Sequence, residues 1–386
     1  MTRALFLSVL ALAIALPLRA ADEPNFNGRT LSEWLAILKD DSLVRKRKAA
    51  LVALGQMVAG DEETRKKAMP GIAKALKVDG NAGVRAQAAA LMGQQPIESA
   101  ALVVGDLAEA LRSEKDSDVR KELAVATGKF GRLSGSAVLP LADVLKDPKP
   151  ETRAAAADAL GRIGKEARKA APYVVPLTKD ADRAVRFAAV FALGRLDPDD
   201  SETACETLVE ILEKESAKKD KERDGEMISA TIVSLGLLGE KSTAAVKAIA
   251  RHLGDSDVER RQLAALTLGR FGIVGRVASA ELKKAFQEDA DKTVRANALH
   301  SLGVSHGADA KDLIPVLTTR LKADPDFEVR IAIAEMLGSF GPNGKPAIPA
   351  LQEARRDSQL KVREAATLAI RAIEKPAEKP TEKPKP

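Results

Sequence analysis

The sequence predicts an all-α solenoid of about ten stacked helical hairpins, and three observations predict it. The first is composition: 45% hydrophobic and 30% charged residues, but only 3% aromatic. Alanine, leucine, lysine, glutamate and arginine lose little rotamer freedom in a helix. A chain this poor in aromatics cannot fill one large core, although it can fill many thin layers. The second observation is a motif that returns about every 33 residues. The third is the apolar stripe at helical spacing inside each copy.

In chain order, the first element is a leader. Arg3 precedes Ala4 to Leu16, where Ser8 is the only polar residue, and Pro17 ends the run. Leu18-Arg19-Ala20 followed by Ala21 places small residues at a cleavage site, so residues 1–20 are expected to be an export signal. The run is shorter than the roughly 20 residues of a membrane span. No cysteine follows it for lipid attachment, and no twin arginine precedes it. Cleavage after Ala20 would remove Arg3 and Arg19 and lower the net charge from +6 to +4. No later stretch reads as a span, so the mature chain is expected to be soluble, in the periplasm or outside the cell. Cys205 is the only cysteine, so no internal disulfide can form and packing must supply the stability.

Residues 21–29 read as a short linker. Thr30 and Glu33 then form a capping box that opens the helix "TLSEWLAILKD", and Trp34, the single tryptophan, is expected to seal the first layer.

The repeats follow. "DPKPETRAAAADALGRIG" from Asp147, "DADRAVRFAAVFALGRL" from Asp180, "DSDVERRQLAALTLGRFG" from Asp255 and "DPDFEVRIAIAEMLGSFG" from Asp324 share one plan. An Asp lies six residues before an Arg, and a Gly lies eight after it. The arginine returns at 47, 85, 120, 153, 186, 261, 295, 330 and 363, with Ile228 in the one gap. The glycine returns at 55, 93, 128, 161, 194, 236, 269, 303 and 338, and Arg371 replaces it in the last copy. The Asp is expected to cap the helix and complement its dipole. Small residues three, four and six after the Arg, with Leu at seven, form the buried stripe. A second Gly three residues on, as at Gly131, Gly164, Gly239, Gly272 and Gly341, suits a left-handed helix end. Prolines 140, 172, 315 and 349 then open the next helix.

This pattern resembles HEAT repeats of the short bacterial type also seen in phycobilin lyases, over residues 30–373. The resemblance implies a right-handed superhelical stack whose second helices line a concave face. With axes about 9 Å apart, ten layers would form an arc on the order of 90 Å. After Ile373, "EKPAEKPTEKPKP" is a Pro-Glu-Lys tail, expected over 374–386 to be extended and disordered. The step into repeat six is about nine residues too long, and the excess is the charged stretch 213–226, read as a solvated loop or helix extension.

Catalytic signals are missing. The three histidines, His252, His300 and His306, are followed by Leu253, Ser301 and Gly307, so the His-Glu pairs of a related diiron hydroxylase are absent. No phosphate loop, serine elbow or zinc spacing occurs. Cys205 reads as a small buried hydrophobe. Phycobilin lyase chemistry is not carried over, since that chemistry is cytoplasmic. No catalytic residue, cofactor or metal is assigned. The recurring arginines could meet a polyanion. However, each is matched by an Asp, which suggests an acid–base ladder between layers and no nucleic acid partner.

The expected function is therefore a non-enzymatic, monomeric scaffold that holds a protein partner in its groove. A cofactor-handling accessory and a polymer-binding envelope element are the alternatives. Positions one, five and nine after the Arg should face the groove. They bring Phe187, Phe191, Val233 and Leu266 together in adjacent layers, flanked by Arg195 and Arg270. An apolar patch rimmed with charge marks an interaction surface, unless the helix phase is off and the phenylalanines are core.

Overall fold

A computed structural model describes residues 23–196, 201–239 and 242–375, without the side chains of 308–310. The expected leader and nearly all of the tail lie outside these residues. Two short strands, β1 (Asn25–Phe26) and β2 (Arg29–Thr30), precede ten helical hairpins among the described residues. In chain order these are α1 (Leu31–Asp40) with α2 (Val44–Gly60), α3 (Glu62–Val78) with α4 (Ala82–Gly93), and α5 (Ala100–Ser113) with α6 (Ser117–Gly128). Next come α7 (Val138–Val144) with α8 (Pro150–Ile163), α9 (Ala171–Val174) with α10 (Arg183–Leu196), and α11 (Ser201–Ala217) with α12 (Gly225–Leu238). The series ends with α13 (Thr243–Ala250) and α14 (Val258–Leu268), α15 (Ser279–Glu288) and α16 (Lys292–His306), α17 (Ile314–Ala323) and α18 (Phe327–Ser339), and α19 (Ile348–Ala354) and α20 (Leu360–Glu374). The even-numbered helices carry the recurring arginines.

The expected linker is in part a β-hairpin. Asn27 and Gly28 both have positive φ, 52° and 76°. That is the demand of a two-residue type I′ turn, which Asn-Gly meets most readily. Phe26 O accepts a 3.0 Å bond from Trp34 Nε1, tying the hairpin to α1, and the Thr30–Glu33 capping box forms as expected. At the other end α20 runs one residue into the expected tail.

The helix phase read from the repeats is correct. Ala156, Ala157, Ala159 and Leu160 of α8 are buried, as are Ala189, Val190, Ala192 and Leu193 of α10. The glycine eight after each arginine has a packing reason. A Cβ on Gly161 would lie 3.0 Å from Ala192 Cα, and one on Gly194 only 2.6 Å from Ser234 Cα. Both of these glycines thus meet the small residue at position six of the next layer, backbone against backbone. The second glycine ends its helix in the left-handed region, as at Gly164 with φ 73°.

The expected cap is corrected. The Asp six before the Arg does not cap the arginine helix. That role belongs to the residue four before it: Asn81, Asp116, Asp182, Asp257, Asp291 and Asp326 accept bonds from first-turn N–H groups. The outer Asp is free for another task. Arg153 Nε and Nη2 each lie 2.9 Å from Asp180, one layer on, while Nη1 binds Asp147 O in its own loop. Equivalent rungs join Arg47 to Asp79, Arg85 to Glu114, Arg120 to Asp147, Arg261 to Asp289, Arg295 to Asp324 and Arg330 to Asp357. The Arg153 guanidinium holds the Asp180 carboxyl below the usual carboxylate range.

A second correction concerns hydropathy. The helical run Val258–Glu288 is long and apolar enough to cross a membrane by length and composition. It is not one rod, because Gly272 at φ 54° breaks it between α14 and α15.

Candidate functional site

On the arginine helices, position five faces outward in every layer. Val52, Val125, Leu266 and Leu368 are exposed large hydrophobics there, and Phe191 and Val233 are partly buried. Their burial follows from the helical period: positions three, four, six and seven go to the core, leaving one, five and nine on the far side.

Phe187 and Phe191, four residues apart on α10, meet edge to face with centroids 4.9 Å apart. Both pack on the core and both line a cavity of about 840 Å³. The two readings left open by the sequence therefore meet halfway: each ring packs on the core and also lines the cavity. Val233 joins them in the cavity wall. Leu266, 46% exposed, stands on the same face outside that cavity, as do the exposed Arg195 and Arg270. Arg195 stacks its guanidinium 5.5 Å from the Phe191 ring, and Arg183 stacks 5.7 Å from Phe187.

Sequence reasoning missed the other wall. The charged insertion is in part the expected helix extension: α11 runs on to Ala217, a 3-10 turn spans Asp220–Glu222, and α12 begins at Gly225. This brings Glu222, Arg223, Asp224 and Glu226 to the cavity. Arg183 clamps the wall in place with bonds of 2.6 and 2.8 Å to Asp224 and 2.7 Å to Glu226. A spacing signal existed, since Arg183 lies three residues before the ladder arginine and points at the next layer's cap.

Below the insertion lies a polar cluster. Ile228 cannot supply a rung to Asp255, and groups from elsewhere fill the gap. Arg260 Nη2 reaches Asp255 Oδ1 at 2.9 Å, His252 Nδ1 lies 3.3 Å from Oδ2, and His252 Nε2 lies 2.9 Å from Ser216 Oγ. Burial opposes charge on Asp255, but bonds from Arg260, the Asp257 N–H and His252 outweigh it and push its pKa far down. Burial likewise holds His252 below its ordinary pKa of 6.5, against the pull of Asp255. The order Ser–His–Asp matches a hydrolase triad. Here, however, the Ser216 hydroxyl also bonds Leu212 O within α11, and Ser216 does not line the adjoining cavity.

The remaining candidates stay apart. His306 is buried and bonded within α16, His300 is exposed, and Cys205 is buried in α11. Among the described residues no three His, Cys, Asp or Glu side chains are grouped to hold a metal.

The pattern and its geometry agree with a known family model. The HEAT-repeat model matches residues 104–173, 138–223, 220–303 and 279–371. The chain belongs to the HEAT-repeat family. No curated protein matches its sequence. Among solved structures, it is similar to the crystal structure of an engineered protein, with a TM-score of 0.58 and 20% identity over 89% of this chain and 99% of the other. That likeness supports the fold alone. The HEAT hairpins described by the structure begin before the matched region, at α1.

Proposed function

We propose that this HEAT-repeat chain is a non-enzymatic scaffold that holds a segment of a protein partner on its arginine-helix face. The observation that carries the reading is the Phe187–Phe191 pair. Two large aromatics in a chain nearly empty of them lie half-open in a cavity of about 840 Å³, with Val233 beside them and charge at the rim. Aromatic anchors inside a polar rim are what binding hot spots look like. Seven of the ladder arginines, 47, 85, 120, 153, 261, 295 and 330, are paired with carboxylates of the next layer, which leaves little of the row for a polyanion site. We place the protein outside the cytoplasm on the leader of residues 1–20.

The test is a double replacement, Phe187→Ala with Phe191→Ala. Half-buried rings should cost about 1–2 kcal/mol each in a thermal melt. Partner capture from the protein's own envelope fraction should fall far more than that. Capture that survives the replacement would sink the proposal.

A further inference from the structure

A second regularity runs along the starts of the arginine helices. Arg183 and Lys292 each stand three residues before the ladder position of their own helix. Each reaches a glutamate two residues before that position in the next layer. Arg183 meets Glu226 at 2.7 Å, and Lys292 meets Glu328 at 2.7 Å. Between hairpins six and seven the same arrangement is left half made. Glu259 occupies the acceptor's place on α14, but Gly225 stands where α12 would carry the cation. Glu259 is exposed and, among the described residues, forms no ion pair. Glu151 on α8 is unpaired among them too, but it does not line the cavity.

The open place adjoins the phenylalanines. Gly225 and Glu259 both line the cavity of Phe187, Phe191 and Val233. Glu222, from the 3-10 turn of the insertion, lines it as well, exposed and likewise unpaired among the described residues. Five carboxylates stand against three guanidiniums around the cavity, in a chain whose net charge is +6. All three guanidiniums are engaged. Arg183 holds Asp224 and Glu226, and Arg260 holds Asp255 and Asp257. Arg223 holds Asp220 and the carbonyls of Ser216 and Lys218. Helix dipoles favour carboxylates at the starts of α12 and α14. The caps Asp224 and Asp257 already serve those ends, and Glu222 lies outside both helices.

A side chain that suits this place is long, apolar along its stem and cationic at its tip. Lysine and arginine lay their methylenes on apolar surface and keep the charge at the edge. An apolar side chain would leave both glutamates unanswered, and an acidic one would be repelled by them. Resting on the scaffold reading above, we infer that the partner segment inserts a lysine or arginine into this cavity. Its stem crosses Phe187, Phe191 and Val233, and its charge meets Glu259 and Glu222. The partner thereby supplies the cation that Gly225 lacks.

The experiment uses the full mature chain and three labelled synthetic peptides, Ser-Leu-Xaa-Leu-Ser, in which Xaa is arginine, norleucine or glutamate. Fluorescence anisotropy should show the arginine peptide bound about tenfold more tightly than the norleucine one, and the glutamate peptide most weakly. Affinity for the arginine peptide should fall as salt rises. Glu222→Gln with Glu259→Gln should remove the preference at an unchanged melting temperature, since both side chains are exposed. Norleucine or glutamate bound as tightly as arginine, or a preference that survives the glutamine changes, would overturn the inference. In either case, binding that is lost with Phe187→Ala and Phe191→Ala leaves the scaffold reading intact. If no peptide binds, the inference fails, and envelope capture with the phenylalanine variant decides the scaffold reading separately.

Discussion

Hairpins four and five, and hairpins six and seven, solve the same problem differently. Between the first two, Arg153 reaches forward to Asp180, and its loop is tied to its neighbour by a bidentate pair. Between the second two, Ile228 leaves Asp255 without a forward partner, and the same carboxylate is satisfied from its own layer by Arg260 and His252. The apolar stripe does not notice the change: Thr231, Ile232, Ser234 and Leu235 of α12 are as buried as their counterparts in α8. Apolar packing thus holds the stack, while the polar ladder sets register and can be rerouted. The rerouting coincides with the insertion and the aromatic cavity, where the scaffold departs most from its own rule.

The comparison can be broken most severely through the stripe. Ala189→Asp places a carboxylate at a fully buried position and should cost several kcal/mol. In a linear array that loss melts the neighbouring hairpins first, so hydrogen exchange should rise around α8 to α12 before the ends. An unchanged exchange pattern would contradict the packing described here.

The ladder comes next. Arg153→Ala leaves Asp180 poorly partnered and should cost about 2–3 kcal/mol, reduced from a fully buried pair by its residual exposure. Ile228→Arg alone should destabilise, because Asp255 is already taken. Combined with Arg260→Ala and His252→Ala, it should recover part of the loss by rebuilding an ordinary rung. A triple variant no better than the single one would mean that the sixth junction cannot accept the regular geometry.

The smallest effect is one of pH. His252 has a depressed pKa, so the unfolded chain binds a proton before the folded one does. Stability from this group is present above 6.5 and is lost as pH falls below that value. Ladder carboxylates such as Asp180 are also depressed, but their contribution fades only below the ordinary carboxylate value of 3.8. Between pH 7 and 5 the melting temperature should therefore fall by a few degrees, and His252→Gln should flatten the slope. A slope unaltered by the replacement would place the proton elsewhere.

Much of the fold was legible because each repeat states its packing in residue size. Where position six is alanine or serine, the glycine at position eight of the layer before it meets that residue's backbone. The caps were legible only in kind: two acidic residues lie two apart, and either can cap. Only the forward reach of the arginine decides which one does. The β-hairpin was signalled by Asn27-Gly28 and passed over, because a repeat search looks for what recurs and this turn occurs once. At the candidate site, the phase placed Phe187, Phe191 and Val233 on the outer face. It could not show that α11 carries the charged insertion back to them, since that depends on where a helix of low periodicity ends.

Arg371 gives the glycine rule a consequence for assembly. A stack whose layers all share one interface could add the first hairpin of another molecule to its last and grow head to tail without closing. Growth needs a small residue of the newcomer to settle against bare backbone at position eight of α20. The chain puts an exposed guanidinium there instead. A second copy that offered its first hairpin to α20 would therefore meet a charged side chain and not bare backbone.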